Sequence, residues 1–432
     1  MRAAGSALRR GYVAASGPAE AWGARAAPGA ALAAREATMA ATSTDRVVVV
    51  GAGLAGLAVA AELAEDRSVL VVERGSVGGQ ASAQNAGMLR RMGEDPYERA
   101  LAVRTHQRLV DDPRLAGASR RTGAVLGFGR DPHHLHDAAA HLALAGVPHH
   151  WRDDLGDVPA LAGSPLLGGW WLPEERVVDP WAVLQVLLAT AKDRGATVRR
   201  GAVDRILVGD DGVRGVEVEG ERVDAGAVVL AAGAWSEPLG RTAGVARPLV
   251  PLRRTLLLTE PCPHAVADHP WCWIDDEGVY ARPEGGGWLV SGCDEAVDRP
   301  LGPESRGPVD AFPRALALDK LERWFPRLPR QVRTGWSGLR TFAPDRRPVL
   351  GADPAVPGLW WAAGLGGFGV SCGLAAGEAV AAWMNGRTVP FLRPRGVSPG
   401  RPMLRRFLIR PTGDLSGAEP LDVPPSTAAG GA

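Results

Sequence analysis

Four consecutive valines, Val47 to Val50, run directly into Gly51-Ala-Gly53-Leu-Ala-Gly56, and a second apolar run, Ser68-Val-Leu-Val-Val-Glu73, follows. An unbroken β-branched run that stops at glycine predicts a strand buried on both faces, the pattern of a parallel sheet. The apolar stretch between the two runs predicts a helix over 54–65. Pro180 suits a first helical position and predicts a second helix over 180–194, with a strand after it at Thr197–Arg200. Three short alternating strands are expected around Ile206, at 213–218 and around Arg222, with turns at 209–212 and 219–220. A further buried strand over 227–233 leads into Gly233-Ala-Trp-Ser236 and another helix. Beyond Pro251 the pattern becomes polar alternation, predicting antiparallel strands at 255–259, 278–282 and 288–291, a helix near 309–325 and a strand over 333–341. A strand at Leu359–Ala363, the run Gly364-Leu-Gly-Gly-Phe-Gly369 and a helix over 371–384 complete the pattern. Residues 106–168 give no clean period. Their histidines, His133, His134, His136 and His141, match no standard metal spacing and are expected on a polar loop or helix surface.

The first run carries chemistry because each part has its own task. Gly51 permits the tight turn, Gly53 lets a pyrophosphate approach the backbone, and Gly56 lets the next helix pack close to the sheet. That helix points its positive N-terminus at the phosphates. Glu73 lies roughly 20 residues beyond the first glycine, where a carboxylate accepts ribose hydroxyls and disfavours a 2′-phosphate. Gly51 through Gly56, with Ala52, Leu54 and Ala55 between the glycines, and Glu73 with Arg74 are therefore predicted cofactor contacts.

Length and composition bound the rest. At 432 residues the chain exceeds one ordinary core, and two domains are expected. A 46% apolar and 22% charged composition with net charge +1 gives no argument for a nucleic-acid partner. Cys262, Cys272, Cys293 and Cys372 lack any regular spacing, and free thiols in a cytoplasmic setting are expected. No apolar run in the sequence approaches the ~20 residues of a membrane span. Met39 stands shortly before the first strand, residues 1–42 are expected to be a disordered extension, and 396–432 an extended or disordered tail.

Five segments in order carry a resemblance. They are the glycine run with Glu73; Ala83-Gln-Asn-Ala-Gly87; Val228-Val-Leu-Ala-Ala-Gly-Ala-Trp-Ser236; Tyr280-Ala-Arg-Pro283 followed by Gly338-Leu-Arg340; and Pro344-Asp-Arg-Arg-Pro-Val-Leu-Gly351 leading into Gly364 to Gly373. Over about residues 45–400 the chain resembles the D-amino-acid-oxidase-like superfamily of FAD-dependent amine oxidoreductases, which includes glycine oxidase, sarcosine oxidase and the D-amino acid dehydrogenases. Its middle is most similar to the D-arginine dehydrogenase branch. The resemblance implies an α/β fold: a Rossmann-like FAD-binding domain from 43–95, 177–245 and 335–395, and an α+β substrate domain on an antiparallel sheet from 96–176 and 246–334.

The resemblance also implies roles. Ser82, Gln84, Asn85, Ala86 and Gly87 would cover the pyrophosphate and flavin ring, while Val203, Ala232, Gly233 and Trp235 would sit at the adenosine. The amides of Gly366, Gly367, Phe368, Gly369 and Val370 would face the flavin edge that gathers charge on reduction. Arg340 is the expected anchor of a substrate carboxylate. Its guanidinium fork would hold the Cα–H about 3–3.5 Å from the flavin nitrogen that accepts a hydride. Tyr280 would donate a second bond from across the sheet, and Arg253 or Arg254 would add a further basic contact. Gly338 occupies the position where sarcosine oxidases carry a flavin-linking cysteine, so FAD is expected to be noncovalent. After Asn85 the branch has a histidine and a tyrosine where this chain has Met88-Leu89 and Gly93, which argues against D-arginine. The expected activity is oxidation of a small amino acid or secondary amine to an imine, with oxygen or a quinone-linked carrier as electron acceptor. Oxidation of a 2-hydroxy acid, or a flavin-binding subunit of a heteromeric dehydrogenase, are the alternatives.

Overall fold

The computed structural model describes residues 45–93, 95–130, 132–298 and 309–392. The expected N-terminal extension and C-terminal tail lie outside the described residues.

The valine strand Arg46–Val50 pairs in parallel with both Ser68–Glu73 and Ala227–Leu230 and is buried from Val47 onward. Leu359–Ala363 extends this sheet beside Ala227–Leu230, Thr197–Arg200 closes the other side, and Val349–Ala352 adds an antiparallel edge. Glycine makes the turn possible. Gly51 has φ +105°, and a Cβ there would lie 2.6 Å from the Ala231 carbonyl oxygen. A Cβ on Gly56 would lie 2.0 Å from the Gly51 carbonyl oxygen, so the helix Leu54–Leu63 rests directly on its own turn.

That helix is apolar almost all round because it is covered on both sides. Its outer neighbour is the helix Gly369–Met384, and a Cβ on Gly377 would come within 2.3 Å of the Ala58 methyl. With the 3-10 turn Gly366–Phe368 before it, this segment is long and apolar enough to cross a membrane by length and composition, which corrects the expectation that no stretch came close. Here it is a core helix, largely buried. Its one carboxylate, Glu378, accepts from Arg104 (2.8 Å) and Arg108 (3.1 Å) of the helix Pro96–Asp111, and Arg108 also reaches Glu62 (2.9 Å).

The second large sheet has nine strands. Val250–Thr259 lies between Val332–Phe342 on one side and Gly287–Ser291 with Ala296–Val297 on the other. Val279–Glu284 and Trp271–Ile274 follow. The next strand, Ala124–Phe128, falls in the stretch that showed no clean period and runs parallel to Trp271–Ile274. It is buried on both faces: Val125 packs with Trp288 and Trp324, whereas Leu126 and Phe128 pack with Trp271. A five-residue run buried on both faces carries no period for a sequence reading to detect. The histidine run falls within the helix Pro132–Leu144. A hairpin sheet, Val203–Gly209, Gly212–Val218 and Glu221–Asp224, sits where alternation placed it.

Gly377→Ala tests the helix contact. Alanine favours the helix by about 0.5–1 kcal/mol, but a methyl at 2.3 Å overpacks the interface, a fault costing ~1–3 kcal/mol. The urea midpoint should fall. A midpoint at or above that of the native sequence would mean that the two helices separate at no cost.

Candidate cofactor and substrate site

Two adjoining cavities open at the carboxyl end of the parallel strands and share Gly53, Ala81, Ser82, Ala231, Gly233 and Leu339 in their walls. The first is bordered by Gly51, Glu73, Arg74, Val203, Ala232 and Trp235. Glu73 is fixed by two backbone amides, Ala52 N–H to Oε2 and Gly75 N–H to Oε1, each at 2.8 Å. The Arg74 guanidinium carbon lies 3.6 Å from the Trp235 ring centroid, and its Nη2 has no protein partner. Burial lowers the Arg74 pKa against the opposing pull of Glu73.

The second cavity brings together Gly53, Leu54, Ala55, Ser82, Gln84, Asn85, Ala86, Gly87, Gly233, Tyr280, Arg340, Gly366, Gly367, Gly369 and Val370. Three expected contacts line neither cavity. Ala52 is fully buried behind the turn, Gly56 has its space filled by the Gly51 carbonyl, and Phe368 is turned onto another residue, Arg90. Two others are partly committed within the protein. Ser82 Oγ accepts the Leu54 N–H (3.0 Å), capping the helix that Gly53 leaves without a side-chain cap. The Asn85 amide donates to the Ser82 carbonyl (2.8 Å) and accepts the Gly87 N–H (2.8 Å), so it shapes the loop rather than reaching out of it. The final helix begins at Gly369, two residues before the position the pattern predicted, so the glycine run forms the 3-10 turn Gly366–Phe368 and the helix's first residue. At Gly338 a Cβ would lie 2.8 Å from the Gln84 carbonyl oxygen, so this backbone has no room for a cysteine there.

Arg340 projects into this cavity from the strand Val332–Phe342, opposite Leu252. Its Nη2 donates to Glu295 Oε1 (2.8 Å), while its buried Nε has no partner. Burial pushes the Arg340 guanidinium down to about 10, which leaves it charged at neutral pH. Glu295 also meets Arg346 (2.6 Å) and Arg254 (3.5 Å). Burial would raise the Glu295 carboxyl, but Arg346 and Arg340 hold it below the usual carboxylate range. Strand alternation separates the two other candidates: Arg253 turns away to Asp298 (2.9 Å) and to Asp310, whereas Arg254 lines the cavity. Tyr280 is not on a strand adjacent to that of Arg340, because Gly287–Ser291 and Val250–Thr259 lie between them; both nonetheless face the same cavity. Burial raises the pKa of the Tyr280 hydroxyl against the pull of Arg254, so it remains protonated as a donor.

Among the wall residues not anticipated from the sequence are one aromatic, Trp273, and one cation, Arg90. Trp273 stacks on Tyr280 with ring centroids 5.0 Å apart. The Arg90 guanidinium lies 4.2 Å from the Trp273 centroid and 4.2 Å from that of Phe368, forming a layered Tyr280-Trp273-Arg90-Phe368 wall. The available signal for Arg90 was its place just after Gly87-Met-Leu89, where this chain departs from the D-arginine dehydrogenase pattern.

The walls fit a dinucleotide. A Cβ on Gly233 or Gly369 would meet nothing within 4 Å, and one on Gly53 would meet only Ser82 Oγ. Unlike Gly51 and Gly56, these glycines keep open space that protein atoms do not fill. Glu73 would hold the ribose, the start of the helix Leu54–Leu63 the pyrophosphate, Arg74 and Trp235 the adenosine end, and the residues from Gly366 to Val370 the ring.

The chain matches the family described as FAD dependent oxidoreductase over residues 46–383, a span that includes every wall residue above. It is 26% identical over 370 residues to mitochondrial sarcosine dehydrogenase of Mus musculus, covering 79% of this chain and 40% of that protein. The chain thus spans about two fifths of that relative's length. It is 28% identical over 373 residues to the glycine oxidase of Pseudomonas aeruginosa, covering 82% of this chain and 99% of the other. The crystal structure of glycine oxidase from Geobacillus kaustophilus superposes with a TM-score of 0.69 at 24% identity, over 83% of this chain and 100% of that one. With the parallel sheet, the glycine turn and both cavities inside the matched span, the chain belongs to the FAD-dependent oxidoreductase family.

Proposed function

We propose that the chain oxidises the Cα–N bond of a small amino acid or secondary amine, giving an imine that water hydrolyses to the keto acid. The observation that carries this is the convergence of Arg340 and Tyr280 on one cavity beside Gly366 and Gly367. Bound FAD supplies the hydride acceptor for this chemistry. Arg340 binds the substrate carboxylate through the fork that Glu295 holds in place. Its unpartnered Nε shows that the protein alone does not satisfy it. Tyr280, still protonated, donates to the same carboxylate. Trp273 supplies an apolar ring to the wall beside Tyr280.

The cavity wall also separates amines from 2-hydroxy acids. Among the residues lining the ring cavity there is no Asp, Glu, His or Lys. Alcohol oxidation needs a base to take a hydroxyl proton whose pKa lies far above neutral. A free amine already offers its lone pair and needs none. The absence of a base from the described wall therefore favours the amine.

Anaerobic bleaching of the flavin band at ~450 nm, across amino acids, N-methyl amino acids and 2-hydroxy acids, tests the reading. Bleaching by hydroxy acids alone would sink it. With no protein base, bleaching efficiency should rise with pH along the titration of the substrate amine. The limb should move to lower pH for glycine bearing an N-trifluoroethyl group, whose amine is less basic than that of sarcosine. A limb fixed at one pH for both substrates would assign the proton to the protein instead.

Arg340→Met should cost ~2–5 kcal/mol in kcat/KM, with Arg340→Lys intermediate, and FAD content unchanged. Tyr280→Phe should cost only ~0.5–1.5 kcal/mol, one neutral donor. Native efficiency in Arg340→Met would move the anchor to Arg254. Because Gly338 leaves no room for a linking cysteine, acid precipitation should release the yellow colour into the supernatant; colour kept in the pellet would contradict a noncovalent cofactor.

A further inference from the structure

The guanidinium groups around the ring cavity are not equivalent. Arg340, Arg254 and Arg346 share Glu295, and the neighbouring Arg91 pairs with buried Glu175 at 2.9 Å. Arg90 is different. Among the described residues no carboxylate lies within salt-bridge distance of it, and aromatic rings cover both its faces. What remains is the edge of the guanidinium, the part that binds an anion, in a wall that also holds Arg254 and Arg340. Arg90 and Arg340 both reach the space beside Gly367: a Cβ there would lie 3.3 Å from Arg340 Nη1 and 3.9 Å from Arg90 Nη2. The two cations therefore flank one point in the cavity. Arg90 is half-buried in the cavity wall, and desolvation lowers its guanidinium pKa despite Asp275 and Glu98, so an anion entering the cavity would be favoured beside it. Two rings holding a guanidinium rigid also reduce the entropy lost when its edge is bound.

We propose that Arg90 is a second anion-binding residue of the substrate site, and that the substrate class is an amine bearing two carboxylates. This rests on the proposed amine oxidation. Arg340 and Tyr280 take the carboxylate next to the reacting carbon, and Arg90 takes the distal one. A cationic side chain, by contrast, would meet Arg90 and Arg254 and be repelled, in line with the departure from the D-arginine pattern.

The test uses holoenzyme and two matched pairs of molecules. Thiodiacetate and methylthioacetate carry two and one carboxylates on a sulfur that takes no part in amine oxidation. Their dissociation constants are read from the shift they cause in flavin absorbance. Iminodiacetate and sarcosine are the corresponding amines, read by anaerobic bleaching. Thiodiacetate should bind about 10- to 100-fold tighter than methylthioacetate, the range for one charge-assisted pair. Arg90→Gln should abolish that ratio by weakening thiodiacetate far more than methylthioacetate, whereas Arg340→Met should weaken both ligands. Arg90→Lys should keep part of the preference. Iminodiacetate should be the better reductant by a similar factor, and Arg90→Gln should erase that advantage. Equal binding of the two thioethers, or a ratio that survives Arg90→Gln, overturns the second-anion site even if both amines are oxidised. Loss of FAD from Arg90→Gln at otherwise native stability also overturns it, because the guanidinium would then serve the cofactor. If neither amine bleaches the flavin while the thioether ratio depends on Arg90, the oxidation reading fails and the anion site stands.

Discussion

Everything in this molecule depends on how closely backbone approaches backbone at the Gly51 turn. The turn lies against Ala231 on one side and beneath the helix Leu54–Leu63 on the other, with gaps too small for any side chain at Gly51 or Gly56. That contact brings the ends of three parallel strands to one level and aims the first helix along the groove between them. A single methyl there would displace strand ends, helix and cavity together. The same economy recurs where Gly377 meets Ala58, so two apolar helices approach closely at that point.

The substrate end is organised by charge. One carboxylate, Glu295, serves three guanidinium groups and holds Arg340 in place from behind. The arrangement leaves the cavity with more cation than anion and no group that takes up protons near neutral pH among its described lining. Such a wall presents a positive field to whatever enters it. The rings of Tyr280, Trp273 and Phe368 lie beside that charge, with the centroids of Trp273 and Phe368 each 4.2 Å from the Arg90 guanidinium.

The parts legible in the sequence were those whose signal is local. A valine run meeting three glycines specifies its own turn, and alternation marked the hairpin sheet strand by strand. Arg340 and Tyr280 stood out through the segments around them. What could not be read was adjacency between distant segments. Tyr280 and Arg340 share a cavity through two intervening strands, and no spacing encodes that. Arg253 and Arg254 were indistinguishable until the strand's facing was known. Ala124–Phe128 has no period because both its faces are covered, and Arg90 owes its setting to Trp273 and Phe368, which come from two separate parts of the chain. Asn85 lines the cavity and also ties its own loop together, a double use that residue type alone does not reveal.

The helix Gly369–Met384 comes from the far end of the described chain and covers the first helix, which comes from the near end. During synthesis the ribosome must deliver nearly the whole polypeptide before that cover exists. Until then an almost wholly apolar helix and one side of its sheet face the solvent. Long-range closure of this kind is slow and leaves the nascent chain prone to association. The glycines that make the finished packing so tight thus also make a late segment the one that protects an early one, and truncation shortly before Gly369 should give a chain that is retained by chaperones rather than one that merely lacks a cofactor edge.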